Sequence, residues 1–462
     1  MNNMHLSRPT GSAVLGNAAS QTLAIVLAGG RGERLHGLTD RQAKPALYFG
    51  GKFRMIDFPL SNCVNSEIRR IAVATQYRAH ELIHHVQRTW SFLRPELSEF
   101  VELWPAQQRD SATGWYAGTA DAIYQNIEMI RRHAPRYVLI LAGDHVYKQD
   151  YRLLLRDHIE CDADITISCI EVPREEGRRF GVMNVDESDT IVSFLEKPES
   201  PPGLADAPDR CLASTGIYIF NTDVLLAVLQ ADSENANSRH DFGGDIIPKL
   251  VSRYRVVAHR FSHSCVSKSD NHQAYWRDVG TLDAYWHANM DMVRTPEVLN
   301  LYDSNWRIWT LQDSGPPVRF ISDGLGNSAT ISNCVVGHSC VVGSALLRDS
   351  VLSHRIRVAE GARITDSVIL PGCEIGAGAR LHRCIVADDC KIPTGLIVGE
   401  DIDTDREWFH CTNTGVTMIT PDMLIRFSRQ RAPATRNNVV EQTARLFTRF
   451  TQPDPELRSA LH

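Results

Sequence analysis

The stretch "LAIVLAGGRGERLHGLTDRQAKP", residues 23–45, runs from an apolar segment into a loop of closely spaced glycines and basic residues. A short aliphatic run that ends in glycine predicts a buried strand that turns into a helical segment. Glycine amides offer a concave array of donors, and guanidinium groups grip phosphate oxygens in pairs. Because Arg31, Arg34 and Lys44 accompany the glycines, the loop is suited to a triphosphate.

This loop matches neither of the two best-known phosphate-binding patterns. The pattern G-x-x-x-x-G-K-[ST] is absent, and the dinucleotide fingerprint requires a third glycine where the chain has Leu35. Glycines alone could also serve only a tight turn between strand and helix. The basic residues are therefore what favours phosphate binding here.

The segment from residue 21 to about residue 295 alternates short apolar runs with longer helical patterns. This alternation predicts an α/β fold with a mainly parallel sheet covered by helices on both faces. Ligands collect at the carboxyl ends of the strands in such sheets. The apolar runs are "LAIVLA", "IRRIAVAT", "YVLILAGD", "ADITISCI" and "STGIYIF".

A period of six residues characterises residues 331–400. It predicts a parallel β-helix in which three hexads form each triangular coil of ~18 residues and one small or aliphatic residue per hexad points inward. Neither the 3.6-residue period of an α-helix nor simple alternation explains the spacing. The equally spaced residues include Leu346, Leu352, Val358, Ile364 and Leu370.

These patterns divide the chain into five segments. Pro296, Pro316 and Pro317 mark a linker without clear periodicity. The segments are a flexible N-terminus over 1–20, a first domain over 21–295, a linker over 296–330, a β-helix over 331–425 and a polar tail over 426–462 that includes "ARLFTRF".

The composition excludes several classes of protein. Hydrophobic residues make up 43% of the 462 residues and charged residues 23%, as in a soluble globular protein. A formal net charge of −6 argues against nucleic acid as a partner. The 11 cysteines contain no C-x-x-C pair, and no apolar run indicates a signal peptide or a membrane span. We therefore expect a cytoplasmic protein.

Two isolated acidic residues are candidates for a metal site. Asp144 ends "YVLILAGD", where a charge inside the sheet would be costly, so it should project into a cleft. Asp278 stands in "YWRDVGT". Two carboxylates from distant segments can hold a magnesium ion that otherwise binds phosphates and water. Each residue could instead cap a helix.

Groups for a sugar phosphate also occur at strand ends. A phosphate needs a cation, and the hydroxyl groups need hydrogen-bonding partners. Glu196 and Lys197 in "FLEKP", Gly181 in "RRFGVM" and Ser214 in "CLASTGIYIF" offer these. The alternative for Glu196 and Lys197 is a solvated charged turn.

Eight motifs follow one another along the chain: "LAGGRGERLHGLT", "AKPALYFGGKFRMIDFPLSNCVNS", "WYAGTADAIYQN", "LAGDHVYKQDY", "FGVMNVD", "FLEKP", "HDFGGDIIPKL" and "YWRDVGTLDAYW". In this order they resemble the motifs of the glucose-1-phosphate adenylyltransferase family, also called ADP-glucose pyrophosphorylases. The resemblance covers residues 21–425 and implies a Rossmann-like nucleotidyltransferase domain, a left-handed β-helix and a homotetramer.

The resemblance implies transfer of the adenylyl group of ATP to α-D-glucose 1-phosphate, the committed step of glycogen synthesis. It implies that Asp144 and Asp278 hold magnesium, with Lys44 near the phosphates. The implied ATP-phosphate contacts are Gly29, Gly30, Arg31 and Gly32, and the implied glucose-phosphate contacts are Tyr116, Gly181, Glu196, Lys197 and Ser214.

Members of this family are regulated by small anions bound between the two domains and adjacent subunits. Arg41, Gln42 and Tyr48 stand where the family has basic residues, whereas Arg54 is retained. Arginine keeps the charge of a lysine with a different geometry. We expect an anionic activator near Arg41 and weak or altered inhibition by AMP. The loop with Gln108 and Trp115 resembles the segment that couples effector and active sites, or forms a mobile lid.

Three other functions are compatible with parts of the chain. A related nucleotidyltransferase would use UTP, GTP or dTTP. An acyltransferase would use bases on the β-helix, for which His338, His354 and His382 are the candidates. A catalytically silent regulatory subunit would usually lose the charged site residues that this chain keeps.

Overall fold

The computed structural model describes residues 11–107, 115–266 and 274–431. The first domain has strands β1 (Thr22–Ala28), β2 (Tyr48–Phe49), β3 (Phe53–Arg54), β4 (Arg70–Thr75), β5 (Phe100–Pro105), β6 (Tyr137–Ala142), β7 (His145–Tyr147), β8 (Ile165–Pro173), β9 (Gly181–Val185), β10 (Ile191–Glu196), β11 (Arg210–Asn221), β12 (Val256–Arg260) and β13 (Trp276–Asp278). Its helices are α1 (Gly11–Ser20), α2 (Asp57–Asn65), α3 (His80–Thr89), α4 (Thr119–Tyr124), α5 (Ile127–His133), α6 (Tyr151–Glu160), α7 (Thr222–Ser233), α8 (Ile247–Leu250) and α9 (Leu282–Arg294).

A nine-stranded sheet forms the centre of this domain, and its mostly parallel character confirms the prediction. Strands β5, β4, β1 and β6 lie side by side and run parallel. Strand β11 pairs antiparallel with β6 and β8, and β10 pairs antiparallel with β9. Buried side chains along almost all of β1 show why its sequence is continuously apolar, since both faces of the sheet are covered.

Residues 11–20, predicted as part of a flexible N-terminus, instead form helix α1. Ala18 and Ala19 are buried in the core that covers one face of the sheet. Thr22 Oγ1 also donates a hydrogen bond to the Ala18 carbonyl, 2.8 Å away. Small apolar residues at the end of the segment therefore pack it against the first domain. Its overall polar composition does not predict this packing.

The second domain is a parallel β-helix, as predicted, with in-register strands typical of the left-handed hexapeptide fold. Its elements are β14 (Arg319–Phe320), β15 (Thr330–Val336), β16 (Val341–Val342), β17 (Leu346–Leu352), β18 (Arg357–Val358), β19 (Arg363–Thr365), β20 (Val368–Ile369), β21 (Glu374–Ile375), β22 (Arg380–His382), β23 (Cys384–Val386), β24 (Lys391–Ile392), β25 (Ile397–Val398), α10 (Ile402–Arg406), β26 (His410–Cys411), β27 (Thr417–Ile419) and α11 (Pro421–Arg431).

Each regular coil is shorter than the ~18 residues expected for three hexads. Leu347, Ile364, Leu381 and Val398 stack in register at intervals of 17 residues. Their side chains are buried, whereas Leu346, which the period of six placed inward, is 36% exposed. One corner per coil is one residue tighter, so the six-residue pattern shifts by one position in each turn.

The observed boundaries differ from the predicted ones at both ends of the β-helix. Strand β14 pairs in parallel with β16, so the stack begins inside the predicted linker. Helix α11 crosses the predicted start of the tail at residue 426. The segment "ARLFTRF" lies outside the described residues. None of the helices in the described parts of the chain has the length and apolar character that a membrane span needs.

One hydrophobic core joins the two domains. It contains Leu35 and Leu38, from the turn after the glycine loop, together with Tyr285 and Trp286 of α9 and the inward-facing residues of the β-helix. Trp286 Nε1 donates to the Asp366 carbonyl oxygen at 2.7 Å. The β-helix is therefore packed directly against the segments that surround the glycine loop.

Candidate active site

A cavity of about 520 Å³ opens at the carboxyl ends of β1 and β6. Its position is the one expected for a ligand site in an α/β sheet. Nine of the residues predicted for the site line it: Gly29, Gly30, Tyr116, Asp144, Gly181, Glu196, Lys197, Ser214 and Asp278.

Two of the three loop glycines, Gly29 and Gly32, are favoured by close approach of their neighbours or by backbone conformation. A Cβ atom on Gly29 would lie 3.1 Å from Gln76 Cβ. Gly32 has φ +68°, in the left-handed region that favours glycine, and a Cβ there would lie 3.0 Å from Lys44 Cβ. The loop therefore presents its backbone to the cavity and runs directly beside Lys44.

A two-stranded ribbon brings the two predicted carboxylates together. Strands β7 and β13 pair antiparallel with Asp278 opposite His145, which places Asp278 next to Asp144. Lys44 Nζ lies 2.7 Å from Asp144 Oδ2 and 3.4 Å from Asp278 Oδ1. Neither acid caps a helix, since Asp144 precedes strand β7 and Thr281 caps α9.

The electrostatics of this group favour the charged forms. Burial alone would raise the pKa of Asp144, but the charge of Lys44, with a smaller effect of His145, lowers that pKa to about 2. Burial opposes the charge on Lys44, yet the two carboxylates together raise the pKa of its ammonium. One cation is thus held between two carboxylates, behind the residues that line the cavity.

Glu196 ends β10 and Lys197 follows it, on the side of the cavity opposite the glycine loop after β1. Lys197 adopts φ 46°, and its Nζ lies 2.6 Å from Glu196 Oε1. The Lys197 side chain is 65% exposed and the Glu196 side chain 22% exposed. Gly181 is paired with Glu196, and a Cβ on Gly181 would lie 2.3 Å from Phe194 Cζ. Glycine at this position keeps the cavity wall open.

Ser214 and Tyr116 complete the predicted lining. Ser214 is mostly buried on β11, and its Oγ accepts a hydrogen bond from the Gly216 amide at 3.2 Å. The Tyr116 amide donates to Gln76 Oε1 at 2.6 Å, and the Tyr116 hydroxyl donates to the Trp104 carbonyl. Both side chains are held by neighbouring polar groups and border the same space.

Three predicted residues do not line this cavity. Arg31 is 63% exposed and pairs with Glu33 at 3.1 Å, outside the cavity. Gly32 shapes the loop, and Lys44 lies behind it with only 7% of its side chain exposed. Contact of Arg31 with phosphate therefore stays a prediction that requires its side chain to move from Glu33.

Several lining residues were not singled out from the sequence. His145 Nε2 lies 3.7 Å from Asp144 Oδ1 and 3.9 Å from Asp278 Oδ1. Asp241 accepts a hydrogen bond from Thr119 Oγ1 at 2.9 Å and also borders the cavity. Both belong to motifs quoted above, "LAGDHVYKQDY" and "HDFGGDIIPKL", but neither follows a strand in the way that marked Asp144.

A second group of polar residues lies between the domains. Arg41 pairs with Asp422 of α11 at 3.3 Å, and both side chains are exposed. Arg54 is buried, and its guanidinium donates to Tyr48 Oη at 3.0 Å and to Gln42 Oε1 at 3.4 Å. Gln42 and Tyr48 therefore hold Arg54 as neutral partners. Gln108 lies outside the described residues.

The β-helix histidines occupy two different environments. His338 and His354 stack with ring centroids 5.1 Å apart, and His354 also meets the Tyr48 ring edge-on. Burial lowers the pKa of His354 to about 4. His382 is half exposed and lies 2.9 Å from Thr365 Oγ1. Two of the three are therefore packed at the domain boundary, where they support the interface.

Comparison with known families gives two matches. The profile described as "Nucleotidyl transferase" matches residues 23–295, and the profile described as "GlmU-like, C-terminal hexapeptide" matches residues 316–419. The second match begins near residue 319, where the β-helix strands begin.

Similar proteins match over most of their length. A protein of Rhodospirillum rubrum named glucose-1-phosphate adenylyltransferase is 53% identical over 410 residues, which cover 89% of this chain and 97% of that protein. Proteins with the same name from Granulibacter bethesdensis and Francisella tularensis subsp. novicida are 52% and 48% identical. These matches cover 88% and 87% of this chain and 98% and 96% of those proteins.

Proposed function

Because this chain belongs to the glucose-1-phosphate adenylyltransferase family, we propose that it transfers the adenylyl group of ATP to α-D-glucose 1-phosphate. The products are ADP-glucose and pyrophosphate. The observation that carries the proposal is one cavity that contains the glycine loop, the acidic pair and the Glu196–Lys197 turn. Two anionic substrates could meet there with cations on both sides.

The reaction needs positioning and charge neutralisation more than it needs a base. Glucose 1-phosphate is already an anion, so its phosphate oxygen attacks the α-phosphorus of ATP directly and in line, and pyrophosphate leaves from the opposite side. The loop amides of Gly29 and Gly30 would hold the nucleotide phosphates. Lys44 would stabilise negative charge that develops at the α-phosphate because its ammonium is fixed and desolvated.

Asp144 and Asp278 have the chemistry of a magnesium site. Carboxylate oxygens are preferred ligands of this ion, and the ammonium of Lys44 between them acts as a stand-in cation in the structure. In the described residues no group of three or more His, Cys, Asp and Glu side chains could hold a metal. Two carboxylates together with substrate phosphates are the usual arrangement for magnesium. When bound, magnesium would neutralise charge on the phosphates.

The sugar phosphate fits the other end of the cavity. Lys197 would exchange its partner Glu196 for the incoming phosphate, which its exposure and flexible stem allow. Glu196, released from that pair, and Ser214 would accept hydrogen bonds from the sugar hydroxyl groups. Tyr116 and the open wall at Gly181 would border the glucose ring.

Regulation by small anions is part of the proposal, with Arg41 as its cation. Its partner Asp422 lies on α11, so an anion that displaces this carboxylate would change a contact between the two domains. Arg54 is already held by Tyr48 and Gln42. Gln42 and Tyr48 are neutral and stand where the family has basic residues, so we expect AMP to inhibit this protein weakly.

We also propose a cytoplasmic homotetramer that acts in glycogen synthesis, whose precursor is ADP-glucose. Support for self-association comes from the first coil of the β-helix, where apolar side chains are exposed at the end of the stack. Phe320 is 53% exposed and Leu325 90% exposed. Exposed apolar surface at a sheet edge is suited to contact with another chain.

The test is pyrophosphate release from the purified protein with magnesium and glucose 1-phosphate. ATP, UTP, GTP and dTTP are supplied in separate reactions, each with and without a panel of phosphorylated sugars and pyruvate. Release dominated by ATP is expected. Release dominated by another nucleotide would assign a related sugar nucleotidyltransferase, and no release with any of the four would favour a silent subunit.

A further inference from the structure

The turn that follows the glycine loop has an unusual backbone. A 3₁₀ segment, Glu33–Leu38, follows the glycines directly and is interrupted at His36, which has φ 47° and ψ −134°. These angles are close to those of the first central residue of a type II′ turn, a position dominated by glycine. A histidine persists in such a conformation only when its surroundings hold it there.

The β-helix supplies part of these surroundings. The ring of His410, on β26, lies with its centroid 4.0 Å from that of His36. Burial, with a smaller effect of His36, lowers the pKa of His410. The backbone of the next residue, Gly37, approaches the β-helix so closely that a Cβ there would lie 2.8 Å from Thr420 Cγ2.

The remaining contacts fix the turn from its own domain. The amide and hydroxyl of Thr39 donate to the His36 carbonyl at 3.0 and 3.1 Å. Leu35 and Leu38 are buried in the core shared with the β-helix. His36 is exposed, and its ring contacts the ring of His410 from the β-helix.

The same part of the β-helix also contacts helix α9, which follows the acidic residue Asp278 of the cavity. Thr412 Oγ1 and Thr414 Oγ1 donate to Asp283 Oδ1 at 2.7 and 2.6 Å. Asp283 lies in the first turn of α9, five residues after Asp278. Residues 410–414 therefore contact both the turn after the glycine loop and the helix after an acidic residue of the cavity.

We propose that His410 is a positioning residue for the nucleotide site: its ring holds the strained His36 turn and thereby keeps the glycine-loop amides directed into the cavity. This inference rests on the proposed function only in assigning the glycine loop to the nucleotide. The β-helix is then a structural part of the nucleotide site.

Three variants test the inference, with steady-state kinetics for both substrates. His410→Ala should raise the KM for the nucleotide at least fivefold and leave the KM for the sugar phosphate within twofold. His36→Ala should do the same, because it loses the ring and keeps the strained Cβ. His36→Gly should stay within twofold of wild type, since glycine adopts this conformation without strain.

The double variant separates positioning from general damage. In the His36→Gly background the turn no longer needs support, so adding His410→Ala should change the nucleotide KM less than twofold. His382→Ala is the matched control, because it removes a β-helix histidine whose contacts are with Thr365 and Asp366. This control should leave both KM values unchanged.

The inference would be overturned by an unchanged nucleotide KM in His410→Ala, or by effects of the two histidines that simply add in the double variant. Equal rises in both KM values would also contradict it. Equilibrium binding of ATP, and of the other three nucleotides, to the same proteins separates it from the proposed function. If wild type binds a nucleotide without turnover, the proposed reaction is wrong. The ratio of the nucleotide affinities of wild type and His410→Ala then still tests the role of His410. No binding of any nucleotide would overturn both.

Discussion

The buried ammonium of Lys44 lies 2.7 Å from the carboxylate of Asp144, which lines the cavity. Asp278 shares the same ammonium at 3.4 Å. The sequence separates these three residues widely, and the β7–β13 ribbon brings the two acids together. A fixed and desolvated ammonium can stabilise negative charge that develops on a phosphate without reorganising.

Replacing Lys44 by Ala should lower kcat by about 10²-fold, the usual cost of losing one preorganised charge-stabilising group. It should also raise the pKa of Asp144, because the charge that lowers this pKa is removed. Steady-state kinetics of the folded variant measure the first effect. Lys249→Ala, at an exposed lysine on α8, is the control and should keep wild-type kinetics.

Lys197→Ala should act mainly on the sugar phosphate. We expect its KM for glucose 1-phosphate to rise about tenfold, equivalent to ~1.4 kcal/mol, while the KM for ATP changes little. The reason is that Lys197 borders the cavity next to β10, which the strand order places away from β1 and its glycine loop. A rise in the ATP KM with an unchanged glucose 1-phosphate KM would contradict the assignment. The same Lys249→Ala control applies.

Arg41→Ala should reduce activation by anionic effectors. The variant loses the cation that we assign to the effector and the contact with Asp422. The measurement is the ratio of rates with and without each phosphorylated effector. Arg131→Ala is the matched control, since Arg131 is also exposed and paired with one acid, Glu128. Full activation of Arg41→Ala, or strong inhibition of wild type by micromolar AMP, would contradict the prediction.

The stability of the first domain should fall in mild acid because of His158. Burial lowers the pKa of His158 from its ordinary 6.5 to about 4, and its ring contacts Thr166 and Asn221. Between these two pH values the unfolded chain binds a proton that the folded chain excludes, so stability decreases as pH falls from 6.5 toward 4. From pH 7 to pH 4.5 this contributes a loss of about 2 kcal/mol.

Denaturant unfolding of wild type and His158→Gln at about pH 7 and about pH 4.5 measures this effect. The variant lacks the titrating ring, so its free energy of unfolding should depend less on pH by that amount. Equal pH dependence of the two proteins would show that the pKa of His158 is the same in the folded and unfolded states.

The sequence predicts the glycine loop, both carboxylates and the β-helix because each has a local signature. Asp144 follows an aliphatic strand, and buried residues of the β-helix recur at nearly constant spacing. The 17-residue coil has no such signature, since its stacked left-handed corners at Asp349, Asp366 and Arg383 are not glycines.

Contacts between distant segments could not be predicted either. Tertiary packing places Lys44 between the carboxylates. Arg54 is held by Tyr48, on the strand that pairs with its own, and by Gln42. Docking of α1 depends on two alanines, which give no periodic signal. These features follow from packing after the elements have formed, and no single stretch of sequence contains them.

The most direct test of the account is the rate of ADP-glucose formation from ATP and glucose 1-phosphate by wild type and by Asp144→Asn. The substitution keeps the size of the side chain and removes the charge that faces Lys44 and the proposed magnesium. We predict formation of ADP-glucose by wild type and a loss of at least ~10²-fold in kcat for the folded variant. Unchanged turnover in Asp144→Asn would contradict the assignment of this site.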